Sequence, residues 1–212
     1  MKLPTPSERL IAGFDNALRT LLAPAVQGNR DNPAKDVGET QLSATDKRHA
    51  AGLMRINQAG EVAAQGLYQG HALVARDASV MEELDHAAQD EADHLRWCTE
   101  RLNELDARPS ALNALWYSGA FAIGALSGLA GDRWSLGFIA ETERQVVRHL
   151  DKHLQRLPET DKRSAKILST MRDEEAGHGE NAENQGAADL PAPASKLMQS
   201  AAKVMTGTAY WV

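Results

Sequence analysis

Two Glu-x-x-His pairs, Glu91 with His94 and Glu175 with His178, are the residues of this chain best suited to chemistry. On a helix, a spacing of three puts both side chains on one face, where a carboxylate and an imidazole can meet the same ion. One such pair means little in a chain that is 25% charged. The surroundings change that. Glu61 stands 30 residues before Glu91, and Glu143 stands 32 before Glu175, so each pair has a lone glutamate one helical hairpin upstream. The halves are offset by 82 residues at the lone glutamates and by 84 at both members of the pair, as a duplicated hairpin with a two-residue length change would give.

Helical phase, at roughly 100° per residue, tests the set independently. Glu91 falls in line with Leu84, Ala88, Leu95, Cys98 and Leu102, and Glu143 with Ile139, Val146, Leu150 and Leu157. Glu175 shares a stripe with Leu168, Met171, His178 and Ala182, while Glu61 recurs with Met54, Tyr68 and Ala75, the weakest of the four settings. These carboxylates sit where a bundle takes leucine. A buried, unpaired carboxylate is costly, so four of them call for a common counter-charge, which two divalent cations supply. Carboxylate and imidazole together point to iron or manganese, because thiolates are missing and an all-oxygen set would favour magnesium or calcium. Six protein ligands on two metals leave open positions for O2 or substrate, which favours a catalytic site.

Other candidates fit less well. Glu83 and His86 share the spacing, but His86 lies with Asp90, Asp93 and Trp97, roughly 110° away from the Glu91/His94 face, and reads as solvated. Glu174 has Gly177 three residues on and therefore no pair of its own. His71, His149 and His153 fall near the inner faces and read as hydrogen-bonded histidines beside the site rather than ligands.

Four long helices must carry the set. The chain favours Ala, Leu, Glu, Gln and Arg over strand-forming residues, which predicts an all-α fold. Thr45 or Asp46 starts a helix running to about Arg76, and the Asp77-Ala-Ser79 break leads to a second over about Val80 to Leu105. A third spans about Asp132 to Leu157, Pro158 interrupts, and a fourth spans about Thr160 to Asn184, giving a four-helix bundle with one long crossover. A last short helix follows Pro191 and Pro193, ending near Met205. Ahead of the bundle, residues 1–45 form an appendage. In it a short amphipathic helix over Ser7 to Leu22, capped by Ser7, puts Leu10, Ile11, Phe14, Leu18, Leu21 and Leu22 on one face, and a loop follows from Gln27 to Gly38. A chain of 212 residues fits a single core, carried by residues 46–212.

Between Arg108 and Asp132 no residue is charged. Its most apolar part, Trp116 to Ala130, is short for a bilayer span. Two readings fit the pattern equally: a monotopic surface dipping into one leaflet, with Trp116 and Tyr117 at the interface, or a buried helix whose Gly119, Gly124 and Gly128 permit close packing. The net charge of −6 and the absence of a basic block exclude nucleic acid as a partner. Cys98, the single cysteine, cannot form an internal disulfide and suits a reducing cytosol. Met1 to Arg9, with Pro4, Pro6 and Glu8, does not read as a secretory signal.

Over roughly Arg48 to Thr206 the chain resembles the demethoxyubiquinone hydroxylase family, di-iron monooxygenases of ubiquinone biosynthesis. Four segments carry the likeness: Arg55-Ile-Asn57-Gln-Ala-Gly60-Glu61, Glu91-Ala-Asp-His94, Pro109-Ser110 through Leu115-Trp116-Tyr117 to Gly131-Asp132, and Arg172-Asp173-Glu174-Glu175-Ala-Gly-His178. The resemblance implies a ferritin-like bundle in which Glu61, Glu91, His94, Glu143, Glu175 and His178 ligate two iron ions, with Glu91 and Glu175 bridging. It also implies a polyprenylated methoxy-methyl-benzoquinol substrate hydroxylated with O2, electrons from an external reductant, and peripheral membrane contact through Pro109 to Gly131. A place at the cytoplasmic side of a bacterial inner membrane follows, with ubiquinone-biosynthesis partner proteins or a homo-oligomer as associations. Where eukaryotic members tend to carry His-His-Tyr, this chain has Arg148-His149-Leu150. A ferritin-like peroxidase or manganese catalase would share the ligands without needing the uncharged insert, and an iron-storage module is a rival from another class.

Overall fold

A computed structural model describes residues 4–24 and 28–212. Met1 to Leu3, in the expected signal-free terminus, and Gln27, at the start of the expected loop, lie outside the described residues. Among the described residues there are seven helices and no strand: α1 Pro6–Leu22, α2 Ala44–Val74, α3 Ala78–Glu104, α4 Asn113–Gly128, α5 Asp132–Arg156, α6 Lys162–Asn184 and α7 Ala192–Ala209. Two hairpins, α2 with α3 and α5 with α6, make the bundle, and α4 is carried in the crossover between them.

Helix starts differ from the sequence expectation by a residue or two, and side-chain caps decide where. α1 is capped by Thr5, not Ser7: Pro6 takes the first helical position, where its missing N–H costs nothing, and Thr5 and Glu8 complete a capping box. Ser43, rather than Thr45 or Asp46, caps α2 by accepting from Asp46 N at 3.1 Å. Asp161 caps α6 by accepting from Ser164 N at 3.0 Å. α7 outruns its expected end at Met205 by four residues.

Each long helix carries its glutamate between two apolar segments, and together these build two cores. One holds Leu53, Met54, Cys98, Leu102, Leu150, Leu168 and Met171; the other holds Tyr68, Leu84, Leu136, Ile139 and Ala182. Along every helix the site glutamate falls between them, so the polar layer is clamped by apolar burial worth about 1.5–3 kcal/mol per large side chain. The Glu61 stripe is apolar throughout: Met54, Tyr68 and Ala75 are all buried.

The uncharged insert packs closely on one face and exposes apolar side chains on the other. Toward α2 the two backbones touch: a Cβ on Gly124 would lie 2.3 Å from the Leu67 carbonyl oxygen, and one on Gly70 would lie 2.2 Å from that of Phe121. Tyr117, expected at an interface, is instead buried and stacks on Phe121. Away from α2, Leu115, Ile123, Leu126 and Leu129 are exposed. No helix of the described residues is long and apolar enough to cross a membrane.

On α1, Leu10, Ile11, Phe14 and Leu22 face outward, while Ala17 and Leu21 pack toward Val62, Leu95 and Tyr117. Residues 28–42 run against the bundle. Ala34 is fully buried in the first core, and Glu39 pairs at 2.6 Å with Arg101, a buried arginine also held by Asp161 at 2.9 Å and Glu104 at 2.7 Å.

Candidate metal centre

The six predicted residues converge on one buried layer. Glu61, Glu91, His94, Glu143, Glu175 and His178 are exposed by 4, 1, 0, 2, 1 and 7%. Among the described residues, none of the four glutamates is ion-paired to a lysine or arginine; Glu61, Glu91 and Glu175 face His94 or His178, and Glu143 meets the Tyr68 hydroxyl.

Two half-sites result. His94 Nδ1 lies 3.0 Å from Glu91 Oε2 and 3.2 Å from Glu175 Oε1. His178 Nδ1 lies 3.5 Å from Glu91 Oε1 and 3.3 Å from Glu175 Oε2. Each motif glutamate thus turns one oxygen to each histidine. Glu61 flanks His94, 3.9 Å from its Nδ1. On the other side, Glu143 accepts a hydrogen bond from the Tyr68 hydroxyl, which also lies 3.4 Å from Glu91 Oε1. Glu61, Glu91, His94 and Glu175 bring ligand atoms within 4.8 Å of one another. The donors fit divalent cations: carboxylates and imidazole nitrogens, all buried, with no fixed cation among them.

Electrostatics show what the cluster does with protons alone. Burial raises Glu61 and Glu143 well above the usual carboxylate range, and the charges of Glu91 and Glu175 raise them further. At Glu91 burial acts the same way, but hydrogen bonds with His178 and His94 outweigh it and hold the group below its ordinary value. Burial would lower both imidazoles. Carboxylate partners reverse this, lifting His94 well above 6.5 and His178 to about 12. Without a cation, the layer therefore stores protons as its counter-charge.

Two carboxylates that sequence reasoning set aside complete the site. His94 Nε2 donates to Glu174 Oε2 at 2.7 Å, and His178 Nε2 donates to Asp90 Oδ2 at 3.1 Å. Each Nε2 therefore faces an outer carboxylate, and each Nδ1 faces the centre, an arrangement that fixes ring orientation and basicity in metal sites. A signal was present: Asp90 and Glu174 immediately precede the two motif glutamates and share their offset of 84. Tyr68 was seen only as part of an apolar stripe.

The remaining candidates separate. His153 Nδ1 lies 3.1 Å from Asn57 Oδ1, and its ring centre lies 3.8 Å from that of His149 with the planes tilted by 57°. Burial depresses them to about 2 and about 4, so both are neutral near pH 7. Asn57 and His149 line the cavity beside the cluster. His71 is fully buried, with neither ring nitrogen hydrogen-bonded within the described residues, and it lies against Gly128 and Phe138. His86 is 74% exposed, at a separate cleft with Asp77, Glu83 and Asp132.

A cavity of about 1120 Å³ opens onto the cluster. Glu61, Glu91, Glu143 and Glu175 form its polar end, and Leu67, Leu115, Trp116, Ile123, Met198 and Met205 supply apolar wall from α2, α4 and α7.

Comparison with known proteins agrees with this geometry. Residues 48–209 match the family model described as ubiquinone biosynthesis protein COQ7. A protein of Ralstonia pickettii named 3-demethoxyubiquinol 3-hydroxylase is 54% identical, with 96% of this chain and 98% of the relative covered. Relatives of the same name from Chromobacterium violaceum and Cupriavidus taiwanensis are 55% and 56% identical, covering 97% and 96% of this chain and 99% of each relative. With a buried four-carboxylate, two-histidine layer and a family match over most of its length, the chain belongs to the COQ7 family of ubiquinone biosynthesis proteins.

Proposed function

We propose that this protein is a di-iron monooxygenase that hydroxylates a polyprenylated demethoxyubiquinol with O2. The observation that carries this reading is the opening of a buried carboxylate and histidine layer into a large cavity with mostly apolar walls. Glu61, Glu91, His94, Glu143, Glu175 and His178 would hold two iron ions, Glu91 and Glu175 lying between the half-sites. When bound, iron supplies the redox and oxygen chemistry. The chain contributes the rest. Tyr68 orients Glu143, Glu174 and Asp90 orient the histidines, and the apolar cavity walls offer a surface for the ring being hydroxylated.

A quinol with an isoprenoid tail lives in the bilayer. Leu115 and Ile123 both line the cavity and are exposed on α4, which gives a tail apolar contact from the outer face of α4 into the cavity. This supports peripheral binding at the cytoplasmic side of the inner membrane through Leu115, Ile123, Leu126 and Leu129. The sequence has no G-x-G-x-x-G dinucleotide fingerprint, so the two electrons come from the quinol itself or from an external reductant.

The test is turnover. Anaerobically reconstituted with Fe(II) and given a short-tailed demethoxyquinone, NADH and O2, the protein should yield a product heavier by one oxygen. Consumption of O2 with no hydroxylated quinone would defeat the assignment.

A further inference from the structure

We propose that Arg30, in the segment ahead of the matched family region, is a positioning residue that clamps the two carboxylates orienting the metal-binding histidines. The proposal rests on the metal-centre reading above and extends it to a part of the chain outside residues 48–209. Arg30 donates to both oxygens of Glu174, Nη1 to Oε1 and Nη2 to Oε2, each at 3.0 Å. The same Nη2 lies 3.3 Å from Asp90 Oδ1. One guanidinium thus spans the partner of His94 on α6 and the partner of His178 on α3, cross-linking the hairpins from outside.

Its placement is built rather than incidental. Asp93 Oδ2 accepts from Arg30 Nε at 2.8 Å, and Asp93 Oδ1 accepts from the backbone N–H groups of Asn29 at 2.8 Å and Arg30 at 3.0 Å. Gly28 starts this turn with φ of 73°, and a Cβ there would fall 2.8 Å from the Asp93 backbone. Arg30 Cζ also lies 5.0 Å from the centre of the Trp97 ring, which in turn lies 5.4 Å from that of His94. A planar fork matches a carboxylate in a way that an ammonium cannot.

Charge explains the need. Two divalent metals balance the four inner glutamates, leaving Asp90, Asp93 and Glu174 as uncompensated charge on the outer side, met by Arg30 and by Arg96, 3.3 Å from Asp93. Without Arg30, Glu174 and Asp90 keep their histidines but lose the group that fixes their own orientation.

Cobalt(II), alone, is the probe, because its visible spectrum reports ligand geometry. Wild type, Arg30→Gln, Arg30→Lys, Glu174→Gln, the Arg30→Gln/Glu174→Gln double variant and the control Arg19→Gln would be loaded, then challenged with chelator. Arg30→Gln should release cobalt about tenfold faster, within the range for loss of a partner behind a ligand, with altered visible bands. Arg30→Lys should recover only part of the difference, the double variant should release more slowly than the product of the two single effects because part of the Arg30 effect acts through Glu174, and Arg19→Gln should match wild type. Wild-type release and spectrum in Arg30→Gln, or simple additivity in the double variant, would overturn the clamp, whatever happens to the melting temperature. Failure of wild type to bind cobalt or iron at all would instead overturn the metal-centre reading, and the clamp with it.

Discussion

His94 Nε2 donates to Glu174 Oε2 across the bundle at 2.7 Å, so the histidine of one hairpin is held by the residue next to the motif glutamate of the other. Asp90 and His178 repeat the relation in reverse at 3.1 Å. Replacing Glu174 with Gln or Asp90 with Asn should weaken metal retention by about 10–100-fold, the range found when such partners are lost. Equilibrium dialysis against a chelator would show it, and an unchanged affinity in both variants would deny these carboxylates any part in holding metal.

Metal uptake should expel protons. The fold keeps His178 protonated up to about 12, and His94 well above 6.5, through hydrogen bonds to carboxylates that overcome burial. A group whose folded pKa is raised stabilises the folded state below its unfolded value of 6.5 and loses that contribution as pH rises toward the folded value. Metal-free protein should therefore lose stability above about pH 6.5, while metal affinity rises with pH because the ligands must deprotonate. Calorimetry in buffers of differing ionisation enthalpy checks this: a proton release near zero would contradict it.

Close contact between α2 and α4 predicts a glycine effect confined to one face. Gly124→Ala places a methyl group against the Leu67 carbonyl and should cost roughly 1–3 kcal/mol by overpacking. Gly119→Ala meets nothing within 4 Å and, by helix propensity, should melt at or slightly above wild type. Thermal denaturation of the pair separates a packed helix from a loosely tethered one.

Membrane contact through the outer face of α4 is tested by replacing exposed leucines. Each buried leucine contributes at least about 1.5 kcal/mol, so Leu126→Asp with Leu129→Asp should weaken phospholipid-vesicle binding by tenfold or more. Co-sedimentation equal to wild type would place the membrane surface elsewhere.

Much of the architecture was legible because its signals are local and repeated. Leu84, Glu91, His94 and Cys98 share one face, and Leu168, Glu175, His178 and Ala182 repeat it 84 residues later, so four helices and six inward residues follow from phase and spacing. Glu61 looked weakest because Tyr68 and Ala75 are modest apolar markers, yet Tyr68 is where a hydroxyl meets Glu143. Asp90 and Glu174 lie off the apolar stripes, and helical phase alone reads such residues as solvated. Only the crossing of two hairpins reveals that a rim position on one helix faces the histidine of another. Arg30 had no periodic signal at all, because its partners Asp93 and Glu174 are 63 and 144 residues away. Leu150 is a core residue of α5 at 1% exposure.

Iron per chain decides whether the layer is a two-metal centre. After anaerobic loading with Fe(II) and desalting, wild type should retain two irons per chain by elemental analysis, Glu143→Ala should retain one or none, and His86→Ala should retain two. A single iron in wild type, or two irons still bound in Glu143→Ala, would contradict the assignment of these six residues as a shared di-iron site.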